Sequence, residues 1–139
     1  MGLVNFHLYS YSLITKLAVS SSSLSERIQI INRAVHHAYK EQEKEVDIIL
    51  KKAGSVGIPV ILAGDLNNIP DSYCYHQFTN SFNDSFMKKG RGRGVTYPLF
   101  GIGVRIDYQF SSKNIQVLEH TILKSNFSDH YALSVRYRL

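Results

Sequence analysis

Asp65 and Asn67 stand two positions apart at the end of an apolar run, in the stretch VILAGDLNNIPDS from Val60 to Ser72. A carboxylate can bind a hard metal ion or take a proton from water, and an amide offers both a donor and an acceptor to a phosphate oxygen. Both side chains point the same way if the backbone stays extended. Gly, Asp and Asn also form turns, and Pro70 follows, so a plain turn accounts for the same residues. In VRIDYQF, Val104 to Phe110, alternation puts Val104, Ile106, Tyr108 and Phe110 on one face and Arg105, Asp107 and Gln109 on the other. Mid-strand Asp is disfavoured. Asp107 therefore either pairs with an arginine on an exposed face or orients a histidine and stabilises its cation. FSDHYAL, Phe127 to Leu133, supplies such a histidine, with Ser128, Asp129 and His130 at a turn. His7 shares a strand face with Asn5 and could look into a polar cleft. His36, His37, His76 and His120 read as surface or packing residues.

The elements that must hold these groups can be read from periodicity. LVNFHLY alternates, with Val4, Phe6 and Leu8 on the apolar side. A Ser-rich loop follows, up to a capping box at Ser23-Leu24-Ser25-Glu26. Ile28, Ile31, Val35, Ala38, Val46, Ile49 and Leu50 then recur at helical spacing, interrupted by polar residues around Gln42. The spacing predicts a helix over 25–53, with Lys51 and Lys52 complementing its dipole and Gly54 as its cap. Its YKEQEKEVD segment reads as a solvated, salt-bridged face. GIPVILAGD is a short strand buried on both faces. A short helix over 71–78 would turn Tyr75 and Phe78 inward, capped by Asp71 or Ser72. MKKGRGRGVTYP is a basic, glycine-rich loop, and strands are expected over 104–110, 114–124 and 131–138. The class is α/β in the mixed (α+β) sense, in one domain spanning 1–139.

Composition narrows the functions. A 44% hydrophobic and 19% charged chain is that of a folded globular protein rather than a disordered one. Cys74 is the only cysteine, which excludes an intrachain disulfide scaffold. A net charge of +5 suits anionic partners such as nucleic acid or phosphate esters. No run approaches the roughly 18 apolar residues of a membrane span. The first ten residues lack the basic and apolar regions of a signal peptide, and the compartment stays open.

NFHL, VILAGDLNNIPDS, VRIDYQF and SDHYAL, in this order, resemble the endonuclease/exonuclease/phosphatase superfamily, the deoxyribonuclease I-like enzymes. The Asp84–Tyr97 segment fits as well. The resemblance implies a four-layer sandwich of two mostly antiparallel sheets flanked by helices. It also implies a metal-dependent hydrolase of phosphate esters, of phosphodiesterase or nuclease type. Asp65 would activate the attacking water and Asn67 would position it and the phosphate. His130 would stabilise transition-state charge, with Asp107 as its orienting partner. His7 would contact a phosphate oxygen. Asp129 and Asp65 would lie at the metal, Mg²⁺ or Mn²⁺.

Three departures are mild: Leu66 in place of Phe, Gln109 in place of Ile and Ala132 in place of Pro. A larger one is that the family carries an Asn and a metal-binding Glu on strands upstream of NFHL. Family domains run to about 250 residues. The expectation is therefore the C-terminal part of such a domain, truncated at its N-terminal strands and weak in metal. An exposed sheet would then favour self-association. The alternative is a non-catalytic phosphate- or partner-binding fragment of a longer protein. The inositol phosphatase branch is disfavoured, since it places a Trp-containing segment where VRIDY stands and this chain has no Trp. KKGRGRG, Lys88 to Gly94, could track a nucleic-acid backbone or be a solvated turn.

Overall fold

The structure is a computed structural model, which describes residues 1–10, 23–98 and 103–139. The expected Ser-rich loop after residue 10 lies outside the described residues, apart from its two ends.

Strand β1, Gly2–His7, opens the chain, and helix α1, Leu24–Ser55, follows. Ser23 caps α1 by accepting a hydrogen bond from the Glu26 amide at 3.2 Å, as the capping box predicts. The helix runs past Gly54 and ends at Val56. The left-handed residue is Gly57, at φ 66°, the conformation that favours glycine just beyond a helix end. Ile28 and Ile31 are exposed, and the buried stripe is Ala34, Ala38, Gln42, Val46 and Ala53.

Strand β2, Val60–Asp65, leads through a turn to helix α2, Tyr73–Ser81. Ser72 rather than Asp71 caps α2, accepting from the Tyr75 amide at 3.2 Å, and Tyr75 and Phe78 are buried. Strand β3, Phe82–Asp84, and helix α3, Ser85–Lys89, come next. Met87 to Lys89 thus belong to a helical turn, and the loop proper begins at Gly90. Strands β4, Asp107–Ser112, β5, Gln116–Leu123, and β6, Ala132–Arg138, complete the fold.

Two sheets result, one in the order β1-β2-β4-β3 and one of β5 and β6. The β1–β2 pair is parallel and the other pairs are antiparallel. Helices α1 and α2 cover one face of the larger sheet, over Phe6, Val60, Leu62, Tyr108 and Phe110. Phe78 stacks between Phe6 and Phe110, at centroid distances of 5.2 and 4.9 Å. Each such buried ring contributes about 1.5–3 kcal/mol of transfer free energy. The smaller sheet approaches the other face through Gln109, whose Nε2 donates to the Leu133 carbonyl while its Oε1 accepts from the Tyr137 hydroxyl. The edge strand β1 lies beyond that cover, so Leu3, Asn5 and His7 are exposed.

Arg105 does not share a face with Asp107. Regular β4 pairing starts only at Asp107, after a single bridge between Val104 and Tyr97. Arg105 turns into the core, paired with buried Asp84 at 2.7 Å, with its guanidinium 4.7 Å from the ring centres of both Phe86 and Tyr108. Taking a guanidinium out of water is costly unless it is paired and hydrogen-bonded. The pair satisfies that demand by joining the entry of β4 to the start of α3.

Candidate active site

The ends of three strands meet in register. His7 lies beside Asp65 across the parallel β1–β2 pair, and Asp65 lies beside Asp107 across the antiparallel β2–β4 pair. Laterally paired residues share a face, so the three side chains rise together on the face away from α1. Gly64 makes this approach possible, because a Cβ there would run into the carbonyl of Phe6.

Beyond Asp65 the backbone does not stay extended. Asn67 adopts φ 49°, a left-handed conformation that Asn tolerates better than most residues. Its amide N–H donates to Asp65 Oδ1 at 2.6 Å, and its Nδ2 donates to the Leu8 carbonyl at 2.9 Å. The turn and the chemical site are thus the same object. Asn67 Nδ2 also lies 3.4 Å from His7 Nε2, which in turn lies 3.7 Å from Asp65 Oδ2.

His130 enters from the turn before β6, its Nδ1 2.9 Å from Asp107 Oδ2. The Tyr97 ring packs on its imidazole, with centroids 4.7 Å apart. Asp107 therefore has the histidine partner, not the arginine. The buried Thr96 holds both residues in place. Its hydroxyl accepts from the amides of Ile106 and Asp107, and its carbonyl accepts from the amide of Tyr131. Asp129 is exposed at the rim, its Oδ1 3.5 Å from the Ser128 hydroxyl.

Electrostatics follow from this packing. Burial pushes the Asp65 carboxyl above its ordinary value; the Asn67 N–H opposes the shift and the neighbouring Asp107 charge adds to it. For His130, burial is the largest effect and disfavours the cation. The hydrogen bond and charge of Asp107, together with the charges of Asp65 and Asp129, outweigh it and raise the imidazole above its ordinary value. Single ligand atoms of Asp65, Asp107 and His130 lie within 4.8 Å of one another. Two carboxylates so close, one already raised by its surroundings, form a donor set that suits an oxygen-seeking dication. Asp129 is not within that group.

Two supporting residues escaped the sequence reading. Gln42 is not solvated with its charged neighbours on α1. It is fully buried, and its Nε2 donates to the carbonyls of Tyr9 and Leu66, while Glu45 accepts from the Tyr9 amide at 2.8 Å. Among the described residues, the Glu41–Lys44 pair is the expected solvated bridge of that segment. Thr96 is the second. A polar residue interrupting an apolar stripe was the available signal for Gln42; for Thr96 there was little beyond its place before Tyr97. His120 is a packing residue, bonded to Ser85 at 2.9 Å and edge-on to Phe86.

The sequence profile described as the Endonuclease/Exonuclease/phosphatase family matches residues 29–130. The chain belongs to this family. No curated protein matches it. Solved structures do. An endonuclease/exonuclease/phosphatase from Bacteroides vulgatus superposes with a TM-score of 0.65 at 21% identity, covering 73% of this chain and 45% of that one. A mannosyl-6-phosphatase from Bacteroides thetaiotaomicron gives 0.62 at 21% identity, over 72% and 46%. The human Nocturnin catalytic domain with bound sulfate gives 0.59 at 18% identity, over 96% and 45%. These likenesses establish the fold. The chain spans just under half the length of each of the three structures. Family members are hydrolases of phosphate esters and generally depend on divalent metals. Among the described residues no helix is long and apolar enough to cross a membrane.

Proposed function

We propose that this chain carries the phosphate-handling centre of a metal-dependent phosphoesterase of phosphodiesterase or nuclease type. The observation that carries the reading is the Asp107–His130 pair, 2.9 Å apart and grouped with Asp65 at the ends of three strands. Mg²⁺ or Mn²⁺, held by Asp65 and Asp107 with Asp129 supplying charge at the rim, would neutralise negative charge developing on the phosphate and the leaving oxygen. The raised Asp65 carboxyl is suited to take a proton from the attacking water, since a base works best when its pKa lies nearer the working pH. Asn67, anchored through Leu8, orients that water and the phosphate. His130, whose cation Asp107 favours, donates from its other nitrogen to a phosphate oxygen. His7 is placed to touch a second one.

A basic cleft of about 1010 Å³ favours an extended polyanion over a small monoester. Lys89, Arg91, Arg93 and Lys124 line it, and Tyr131 lines both this cleft and the site cleft. Its acid, Glu119, is bridged to Arg136 at 3.0 Å. A phosphate backbone leaving the site would meet these cations.

A second reading, a non-catalytic phosphate- or partner-binding piece, is favoured by the exposed β1 edge with Leu3 at 71% exposure. Hydrolysis of an oligonucleotide and of a sugar phosphate with Mg²⁺ or Mn²⁺ separates the readings. The catalytic reading expects metal-dependent cleavage that Asp65→Asn and His130→Gln each reduce by about 100-fold or more. Oligonucleotide binding with no turnover, in a chain that self-associates on size exclusion, would support the second reading and sink the first.

A further inference from the structure

We propose that Gln42 is a positioning residue, which sets the separation between the strand ends carrying His7 and Asp65. The inference rests on the reading of Asp65 as a water- and metal-handling carboxylate. It concerns how that carboxylate is held.

Gln42 lies on α1, beneath the sheet face opposite the site, and is fully buried. Every polar direction of its amide has a target. Nε2 donates to the Tyr9 carbonyl at 2.8 Å and to the Leu66 carbonyl at 3.3 Å. Oε1 accepts from Asn68 Nδ2 at 3.0 Å and faces Cys74 Sγ at 3.9 Å. Tyr9 follows His7 by two residues, and Leu66 and Asn68 bracket Asn67. One planar amide thus ties the chain leaving β1 to the chain leaving β2. One turn along the helix, Glu45 takes the Tyr9 amide at 2.8 Å, so both backbone polar groups of Tyr9 are held by α1.

A second tie crosses the same gap on the solvent side, where Asn67 Nδ2 donates to the Leu8 carbonyl at 2.9 Å. The two loops are therefore pinned from above by Asn67 and from below by Gln42, with the Leu66 side chain fully buried in the core. The pin also bears on the rest of the turn, since the Asn68 carbonyl accepts from the Tyr108 hydroxyl at 3.0 Å. Only an amide of this length provides two donors and an acceptor there. Methionine has similar bulk and neither capacity, and would strand two carbonyls and an amide out of water. Among the described residues the Asp107–His130 half of the site shares no hydrogen bond with Gln42, being held by Thr96 instead.

This asymmetry supplies the test. Gln42→Met, and Gln42→Asn as a variant that keeps the amide but withdraws it by one methylene, are prepared in the full chain. Each is followed by NMR of its side chains and by Mn²⁺ calorimetry. In whichever variant unfolds cooperatively, the expected result is displaced His7 and Asn67 side-chain resonances, unmoved His130 resonances, and Mn²⁺ affinity reduced about 10-fold or more. Unmoved His7 and Asn67 signals with unchanged Mn²⁺ affinity would overturn the proposal. So would equal displacement at His7 and His130, which marks general loosening, as would failure of both variants to fold, which marks a purely structural residue. If Mn²⁺ does not bind even the unsubstituted chain, the functional reading fails, while the resonance pattern still decides the positioning role.

Discussion

The two faces of the four-stranded sheet use alternate residues of the same strands for opposite ends. Toward the helices stand Phe6, Leu62, Tyr108 and Phe110, buried and stacked through Phe78. Toward the cleft stand Asn5, His7, Ala63, Asp65, Asp107 and Gln109, mostly half-buried or exposed. His7 follows Phe6 directly, and Asp107 precedes Tyr108 directly. His7 and Asp107 are thus each one residue from an aromatic anchor and Asp65 is one residue from fully buried Leu66, so the apolar face fixes where the polar face points. The cleft face gives up stability in return: its carboxylates adjoin, and burial at Asp65 disfavours the charged form of its carboxyl.

Breaking the helix face should have the largest effect. Phe110→Ala removes the fully buried ring that Phe78 stacks on and should cost about 3–5 kcal/mol, read as a lower denaturant midpoint.

The cleft face should respond to pH instead. The imidazole of His130 is raised in the folded chain above its unfolded value of about 6.5, so its contribution is fully present below that pH and is lost as pH rises through the folded-state value. Asp107→Asn should therefore lower the melting temperature most near pH 5.5, with the deficit fading by pH 9.

For Asp65 the sign is reversed. A carboxyl raised by folding leaves stability untouched well below pH 3.8, where both states are protonated. The penalty on the native state grows as pH rises past that unfolded value and is complete above the folded-state value. Asp65→Asn should raise the melting temperature at pH 7 while reducing metal-dependent activity by about 100-fold or more, and should leave stability nearly unchanged at pH 3. The smallest effect belongs to the uncovered edge. Leu3→Lys should change stability by less than about 0.5 kcal/mol, since Leu3 is 71% exposed.

Much of this was readable in the sequence, because the signals were local. Ser23 and Glu26 marked the start of α1, the apolar run marked β2, and alternation put Phe6 and His7 on opposite faces. The expected site residues His7, Asp65, Asn67, Asp107 and His130 do assemble in one place. What could not be read depended on partners far along the chain. Alternation put Arg105 beside Asp107, but its burial is decided by Asp84, 21 residues earlier. Gln42 looked like one more polar residue in a charged helix segment, because its partners are 24 to 33 residues away in either direction. The cap at Gly54 failed for a smaller reason: helical geometry continued to Val56, and Gly57 supplied the left-handed turn.

The phosphate-handling centre depends most directly on Asp107 favouring the His130 cation beside Asp65. An NMR titration of the His130 imidazole in metal-free protein measures this, in the unsubstituted chain and in Asp107→Asn. The expected midpoint lies above 6.5 in the first and lower in the second. A midpoint at or below 6.5 that the substitution does not move would contradict the account.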